Sequence, residues 1–325
     1  MPQRWSTPDG PVRPGRGTGL RRSASPRRCR DRRRNVAAHG GFSRRNDQYD
    51  PGGFAVTISD VRATQLARLG FAARGLVYCL VAWFAVDAAM RGGTIADNQG
   101  AIGSLADEQL GAVLLAVIAA GLLGYAVWRL TEAIADPEQI MRDAKGALTR
   151  IGHVVSGIAH LILAWSAARL AWQPRTGGGG QSPGDESARD WTGWLLSVPF
   201  GRVLVAVVAI GILTAAVMQA KKAWKGDFVK DLHNDGSLPS YVCTMGRLGY
   251  GARAVVFTII AGFFAVAAWQ AHATEAGGMA DALAMLQDQP GGKWLLAATG
   301  VGLGLFGVYS FVEARFRRVQ VRLPG

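Results

Sequence analysis

Charged residues and cysteine are both scarce in this sequence of 325 residues. Asp, Glu, Lys and Arg make up 18% of the chain, hydrophobic residues make up 49%, and the mean hydropathy is above zero. The three cysteines show no paired spacing, which argues against a zinc site. The sequence also contains no arrangement of a nucleophile with a general base and no paired catalytic carboxylates. We therefore expect a protein without enzymatic activity, metal or cofactor.

Positive charge is concentrated near the N-terminus. The net charge of the chain is +13, and the segment Arg4–Arg68 contributes +10 of it, from fifteen Arg and five Asp. A segment with so few aliphatic residues cannot bury enough apolar surface to offset the entropy lost on ordering. We therefore expect residues 1–61 to form a disordered basic tail that can attract anionic lipid. This charge is poor evidence for nucleic-acid binding by the apolar remainder of the chain.

One motif occurs three times in the remainder of the chain. It reads Arg-Leu-Gly-Phe-Ala-Ala-Arg-Gly-Leu-Val-Tyr at Arg68–Tyr78 and Arg-Leu-Gly-Tyr-Gly-Ala-Arg-Ala-Val-Val-Phe at Arg247–Phe257. A degraded copy, Arg150–His160, lies between them. Repetition of this length predicts an architecture of repeated units. We place these units at residues 62–140, 141–240 and 241–325.

Six apolar stretches follow the tail, two in each repeat. Each is a candidate for a membrane-spanning helix, the first only if the charged residues that flank it lie near the membrane surfaces. Without counting the tail, thirteen basic residues lie in the segments on one side of these helices and six on the other. This asymmetry predicts a plasma-membrane protein with both termini in the cytoplasm. The uncharged cores are Gly75–Val86, Gln109–Trp128, Ile151–Ala168, Val203–Ala220, Ala254–His272 and Trp294–Val312.

The second helix of each repeat also recurs. Gly121–Ala133 aligns without gaps on Gly302–Ala314, and both segments end in Glu-Ala. The middle copy, Gly211–Ala223, keeps the small and aliphatic pattern but has Lys in place of Glu. The chain therefore consists of three helical hairpins in the same orientation, which implies pseudo-threefold symmetry about the membrane normal. We expect an all-α membrane protein folded as a six-helix bundle.

These features together resemble a bacterial family known as domain of unknown function 1206. The resemblance rests on the Arg-Leu-Gly-aromatic-x-Ala-Arg-x-x-Val-aromatic opening and on the Gly-rich second helix that ends in Glu-Ala. It covers residues 62–325, although the middle copy departs from the motif at His153, Ser156 and His160. The resemblance implies a multi-pass membrane protein and brings no activity with it.

Charged residues recur at two positions of the repeat. Arg74 and Arg253 occupy one position, and Glu132 and Glu313 occupy the other. The middle repeat has lost both, with Ser and Lys in their places. Because removing one partner of a buried pair strands the other charge, the joint loss suggests that Arg and Glu face each other within a hairpin. We therefore predict the pairs Arg74–Glu132 and Arg253–Glu313 as a clamp between helices; the alternative is a proton or ion path.

Two histidines lie on one face of the third predicted helix. His153 and His160 are two helical turns apart, about 10.5 Å along the axis. In the repeat alignment they stand where the other copies have Phe or Tyr. We therefore expect both to pack as aromatic core residues with a polar tip. The alternative is a role as metal or haem ligands, which would need a partner that the neighbouring helices do not supply.

Small residues line one face of the last predicted helix. Gly300, Gly304 and Gly307 form a stripe that predicts a close approach by a neighbouring helix. A nucleotide-binding interpretation of these glycines is weak, because the strand and turn that such a motif requires are missing.

Two functions remain open on these observations. The first is a non-enzymatic structural or interaction subunit of the membrane. The second is a channel or transporter for a small solute or ion, with its path along the pseudo-threefold axis. A conduit needs polar groups at mid-depth, and the sequence offers few beyond Thr214, Thr258, Ser310 and the two histidines. This scarcity favours the first function.

Overall fold

The computed structural model describes residues 58–106, 108–135, 144–172, 183–232 and 239–317. The expected tail lies outside the described residues except for 58–61, which begin the first helix. Short 3₁₀ turns occur at Asp227–Asp231 and Ala273–Glu275. The helices are α1 (Ile58–Arg91), α2 (Asn98–Gly103), α3 (Gly111–Ala135), α4 (Ala144–Trp172), α5 (Pro183–Ser197), α6 (Gly201–Lys225), α7 (Ser240–Gln270), α8 (Met279–Gln287) and α9 (Gly292–Phe316).

Six of these helices are long and apolar enough to cross a membrane, namely α1, α3, α4, α6, α7 and α9. The described residues contain no β-strand, and their one isolated β-bridge joins Leu232 to Arg317. The prediction of an all-α protein with six membrane-spanning helices in three repeats is therefore confirmed. Each repeat also places one short helix, α2, α5 or α8, between its two long ones.

The long helices pack most extensively between repeats. In the described residues the largest contacts join α9 to α1, α3 to α4 and α6 to α7, so each repeat packs against the next. Contacts within a repeat are smaller for the pairs α1–α3 and α7–α9. The two long helices of the middle repeat, α4 and α6, barely contact each other. Only 17% of the span of α4 and of α6 is buried, against 56% for α1. Among the described residues, the pseudo-threefold bundle is therefore open between α4 and α6, at a place that we call the α4–α6 gap.

Glycine allows α1 and α9 to approach until their backbones touch. A Cβ atom on Gly75 would lie 2.8 Å from the carbonyl oxygen of Gly307, and a Cβ on Gly307 would lie 2.7 Å from that of Gly75. Gly300 and Gly304 continue the contact against Ala85 and other small residues of α1. The close approach predicted from the glycine stripe is confirmed, because no side chain fits between the two backbones.

Two arginines join the ends of α6 and α7. Arg247, the first residue of the third motif copy, donates from Nε to the Ala223 carbonyl at 3.0 Å and from a terminal nitrogen to the Trp224 carbonyl. Arg202 donates in the same way at the other end of the pair, to the Ala268 carbonyl at 3.1 Å and to that of Trp269. The last carbonyls of a helix have no partner within the helix, so both arginines cap α6 or α7 and hold the pair together.

The short helices meet at one end of the bundle, which we call the loop end. Asp97 accepts hydrogen bonds from the backbone nitrogen of Gly100 at 2.7 Å and from that of Gly184, at the start of α5, at 2.6 Å. Asp185 accepts from the backbone nitrogens of Ala280 and Asp281, at the start of α8, at 3.3 and 2.8 Å. Burial raises the pKa of Asp185 to about 6, and the neighbouring Asp281 carboxylate adds to the effect. Each buried carboxylate thus ties the loop of one repeat to the next.

Aromatic residues fill the opposite end, where α3, α6 and α9 finish, and which we call the basic end. The cluster consists of Tyr78, Phe228, Tyr250, Phe306 and Tyr309, with ring centroids 4.9 to 6.5 Å apart. Phe228 comes from the 3₁₀ turn after α6, and its carbonyl accepts a hydrogen bond from the Tyr309 hydroxyl at 3.5 Å. The connection between the second and third repeats therefore closes the α7–α9 side of this end.

Candidate functional site at the basic end

Arg74 lies on α1 with 6% of its surface exposed. Its guanidinium donates to the Tyr125 hydroxyl at 2.6 Å, to the Ser310 hydroxyl oxygen at 3.1 Å and to the carboxylate of Glu313. The Ser310 hydroxyl donates in turn to the Phe306 carbonyl at 2.9 Å, so its oxygen is oriented to accept from Arg74. The arginine is thus joined to α3 and α9 at once, by charge and by hydrogen bonds.

Aromatic rings surround the same guanidinium. Its central carbon lies 5.0 to 5.1 Å from the ring centroids of Phe71, Tyr125 and Phe306. A cation within about 6 Å of an aromatic face is attracted by the ring quadrupole, and more strongly where water is excluded. The charge of Arg74 is therefore satisfied inside the bundle.

The predicted pair Arg74–Glu132 is also wrong, since Arg74 pairs with Glu313. The reason lies in the packing, because α1 contacts α9 of the third repeat more extensively than it contacts its own hairpin partner α3. Glu313 is only 2% exposed and is held by Arg74 and by Arg317, whose Nη1 lies 3.0 Å from its other carboxylate oxygen. The ion pair therefore closes the contact between the first and last repeats.

Glu132 finds other partners. Arg129, three residues earlier on α3, approaches its carboxylate at 2.8 Å, and Arg317 approaches it at 4.0 Å. His153 of α4 places Nδ1 at 3.6 Å from the same carboxylate. Because Arg317 reaches both glutamates, it links the two acidic residues into one network. We call the five charged residues Arg74, Arg129, Glu132, Glu313 and Arg317 the carboxylate cluster.

Sequence reasoning missed two members of this cluster. Arg129 and Arg317 were counted only among the basic residues that follow the second and last helices. A signal for both exists in the sequence, because Arg129 precedes Glu132 by three residues and Arg317 follows Glu313 by four. Residues at these spacings are neighbours on a helix surface.

Arg253, the repeat counterpart of Arg74, has a different environment. Both of its terminal nitrogens donate to the Gln219 amide oxygen, at 3.1 and 3.2 Å, once that amide is oriented with its oxygen toward the guanidinium. Its central carbon lies 4.4 to 5.3 Å from the ring centroids of Tyr78, Phe257 and Phe306. It forms no ion pair with a carboxylate of the described residues. The predicted pair with Glu313 is therefore wrong.

The repeat alignment explains this difference. In the contact between α1 and α9, Arg74 meets Ser310 and Glu313; the corresponding residues of α6 are Gln219 and Lys222. Gln219 keeps the hydrogen bond to the arginine, whereas Lys222 places a second positive charge where the carboxylate would be. Arg253 thus lies in the same contact without its acid.

Comparison with known proteins finds the same division of the chain into three repeats. The family model described as Domain of Unknown Function (DUF1206) matches the chain in three segments, residues 69–136, 151–226 and 248–317. The chain belongs to this family. Each DUF1206 segment holds one pair of long helices, and the middle segment is matched despite its Ser and Lys substitutions. An uncharacterised protein YxxB of Bacillus subtilis (strain 168) is 31% identical over 258 residues, which cover 78% of this chain and 91% of that protein. No solved structure matches the chain.

The histidines of this DUF1206 chain lie beside the carboxylate cluster. His160 packs on Tyr125 with ring centroids 4.4 Å apart, and its Nδ1 donates to the Ser156 carbonyl at 2.7 Å. His153 lies beside Glu132, as described above. The described residues contain no group of three His, Cys, Asp or Glu side chains that could hold a metal ion. Ring packing and a hydrogen bond therefore hold His160, whereas the buried Nδ1 of His153 has no hydrogen-bond partner among the described residues.

Proposed function

We propose that the protein is a non-enzymatic structural or interaction subunit of the bacterial plasma membrane. The observation that carries this proposal is the hydrogen bonding of the hydroxyl groups within the membrane-spanning helices. Thr214 and Thr258 each donate to a carbonyl one turn earlier at 2.8 Å, and Ser310 does so at 2.9 Å. A conduit needs polar groups that can replace the hydration shell of a solute. Donors already bonded within their own helices are poorly suited to that task.

The packing of the first and third repeats supports the same proposal. Direct backbone contact at Gly75 and Gly307 leaves no room between α1 and α9. Arg74, which an ion path would need as a mobile charge, is held by three hydrogen-bond partners. A charge held in this way stabilises one arrangement of the helices and resists movement, as a clamp between repeats would.

We place both termini in the cytoplasm, which puts the basic end at the cytoplasmic surface. The support for this orientation is the excess of basic residues in the segments at that end. The bilayer itself is then the principal partner of the protein.

A channel or transporter for a small solute or ion is the second candidate. The α4–α6 gap favours it, because helices that barely touch leave a way into the bundle from one side. Charged residues within the spans favour it as well, since such residues often mark ion or proton paths. A path that used both the charged residues and the gap would therefore lie at the basic end, beside α4 and α6.

Flux through proteoliposomes separates the two candidates. The full-length protein is reconstituted into liposomes that contain fluorescent reporters, and gradients of protons, chloride and potassium are applied in turn. For each of the three ions, we expect the flux into the proteoliposomes to equal the flux into protein-free liposomes. A saturable flux that stops when cysteines placed on α4 and α6 are cross-linked would contradict the structural role and support a path through the gap.

A further inference from the structure

A groove runs between α6 and α7 at their loop end, and we call it the loop-end groove. Its volume is about 380 Å³, and seven of its eight lining residues are apolar. The side chains at its rim are 59 to 82% exposed, so the groove opens on the outer surface of the helix pair. The connections next to it, residues 198–200 and 271–278, are among the described residues. The lining includes Arg202, Ala206, Ala209, Ala265, Ala268 and Trp269.

Arg202 lies in this lining and is exposed. Its Nε and one terminal nitrogen donate to the last carbonyls of α7, which fixes the position of the guanidinium. A guanidinium carries five N–H donors, so three of them have no acceptor among the described residues. No carboxylate of the described residues pairs with Arg202 either. The groove therefore holds a fixed positive charge that can still bind an anion.

Trp269 indicates the depth at which this charge lies. The side chain is 82% exposed at the end of the α7 span, and its backbone carbonyl accepts one of the hydrogen bonds from Arg202. Exposed Trp side chains of membrane proteins concentrate at the level of the lipid headgroups. Arg202 therefore lies at the depth of the lipid phosphates, and the apolar part of the groove extends from there toward the membrane centre.

The length of the groove matches one leaflet of the bilayer. On α6 it extends from Arg202 to Ile210, a rise of about 12 Å, and half of the hydrocarbon core is about 15 Å thick. Leu213 and Val217 follow on the same face of α6, two turns beyond Ala206 and Ile210, and are 46 and 44% exposed. These larger side chains end the groove near the middle of the span. An acyl chain ends there too, whereas a helix of a second copy would have to continue across the membrane.

The same arrangement occurs at the other end of this helix pair. A second groove between α6 and α7, with a volume of about 550 Å³, begins at Trp224, which is 80% exposed. Arg247 donates to the Trp224 carbonyl as Arg202 donates to the Trp269 carbonyl. An apolar groove, an exposed Trp and a fixed Arg thus occur together in each half of the helix pair.

We propose that the loop-end groove binds one phospholipid, with its phosphate on Arg202 and one acyl chain along the alanines. The planar guanidinium matches the geometry of phosphate oxygens, and its charge complements the charge of the phosphate. Because the phosphate carries the recognition, the site selects phospholipids over neutral diacyl lipids.

The test is photo-crosslinking of the full-length protein in maltoside micelles, a detergent that contains no phosphate. The probe is phosphatidylglycerol with a photoactivatable diazirine on one acyl chain, and the labelled positions are mapped by mass spectrometry of peptides. We expect the label to concentrate at residues 203–210 and 265–269. Arg202→Gln should lower this label about tenfold, because it removes a hydrogen bond from a charged donor.

Lys293→Gln is the matched control, because it removes a positive charge beside another exposed tryptophan at the same end of the bundle, on α9. It should keep the label. Arg202→Gln also removes the bonds to the α7 carbonyls, so Ala265→Leu is a second variant that leaves them in place. Ala265 is exposed, and a leucine there should fill the groove and lower the label. Val266→Leu, at the next residue and outside the lining, should keep it.

Unchanged labelling of the groove in a folded Arg202→Gln protein or in Ala265→Leu would overturn the proposal. Equal labelling by a diacylglycerol with the same diazirine chain would show that the phosphate is not bound, and would overturn it as well. A dimer in micelles that Ala265→Leu converts to a monomer would show that a second copy fills the groove in place of lipid.

Discussion

Replacing Arg74 and Glu313, singly and together, tests the contact that closes the first repeat onto the last. Glu313→Ala leaves a guanidinium that is 6% exposed with only the Tyr125 and Ser310 hydroxyls as acceptors. Arg74→Ala leaves Glu313 with Arg317 at 3.0 Å, so its carboxylate is still paired. The two single changes are therefore unequal, and Glu313→Ala strands the more isolated charge.

The magnitude follows from the burial of both groups. Removing one partner of a buried ion pair costs about 3–5 kcal/mol, because the other charge remains without compensation. We expect Glu313→Ala to lie near the upper end of this range. Arg74→Ala should lie lower, and its cost should come mainly from the aromatic rings that lose their cation. The double variant should lose about 1–3 kcal/mol less unfolding free energy than the sum of the two single losses. This difference is the coupling expected for residues in direct contact.

The assay is a double-mutant cycle of unfolding in mixed detergent micelles, followed by the loss of helical circular dichroism. The control cycle combines Arg253→Ala with Glu313→Ala. Arg253 has no ion pair with Glu313, so its coupling to that residue should be smaller than about 0.5 kcal/mol. Stronger coupling of Glu313 to Arg253 than to Arg74 would refute the assignment of partners. Additive losses for Arg74 and Glu313 would refute their contact altogether.

Three further predictions concern packing, pH and orientation. Gly307→Ala should destabilise the bundle, because its Cβ would lie 2.7 Å from a backbone oxygen, whereas Gly262→Ala, with open space around it, should stabilise its helix by about 0.5–1 kcal/mol. Thermal melting in detergent compares the two; equal effects would contradict the close contact. The raised pKa of Asp185 means that the folded state binds its proton more tightly than the unfolded state, so stability should fall as pH rises from about 4 to about 6. Melting at several pH values should show a flatter slope in Asp185→Asn, and an unchanged slope would contradict this origin. Single cysteines are placed at Gln181 and Asp227 in a background without the native cysteines. The cysteine at 181 should react with an impermeant maleimide in intact cells, and the cysteine at 227 only after the cells are permeabilised; the reverse pattern would invert the topology.

The sequence alone determined the helices, the repeats and the glycine contact. These features depend on local properties, namely the length of apolar runs, the recurrence of a motif and the spacing of small residues along one helix face. Six spans were predicted, and the described residues contain six helices long and apolar enough to cross a membrane. The stripe at Gly300, Gly304 and Gly307 meets α1 as expected. Composition along the chain carries such information because a bilayer imposes the same length and polarity on every helix that crosses it.

Only the tertiary structure decided which arginine meets which glutamate. In a ring of three repeats, each first helix has two neighbours that carry the same repeat position, one in its own hairpin and one in the adjacent repeat. An alignment shows that positions are equivalent, but it does not distinguish these two neighbours. Arg74 met Glu313 because α1 packs more closely on α9 than on α3. The α4–α6 gap was likewise invisible in the sequence, since an apolar helix face has the same composition whether another helix or lipid covers it.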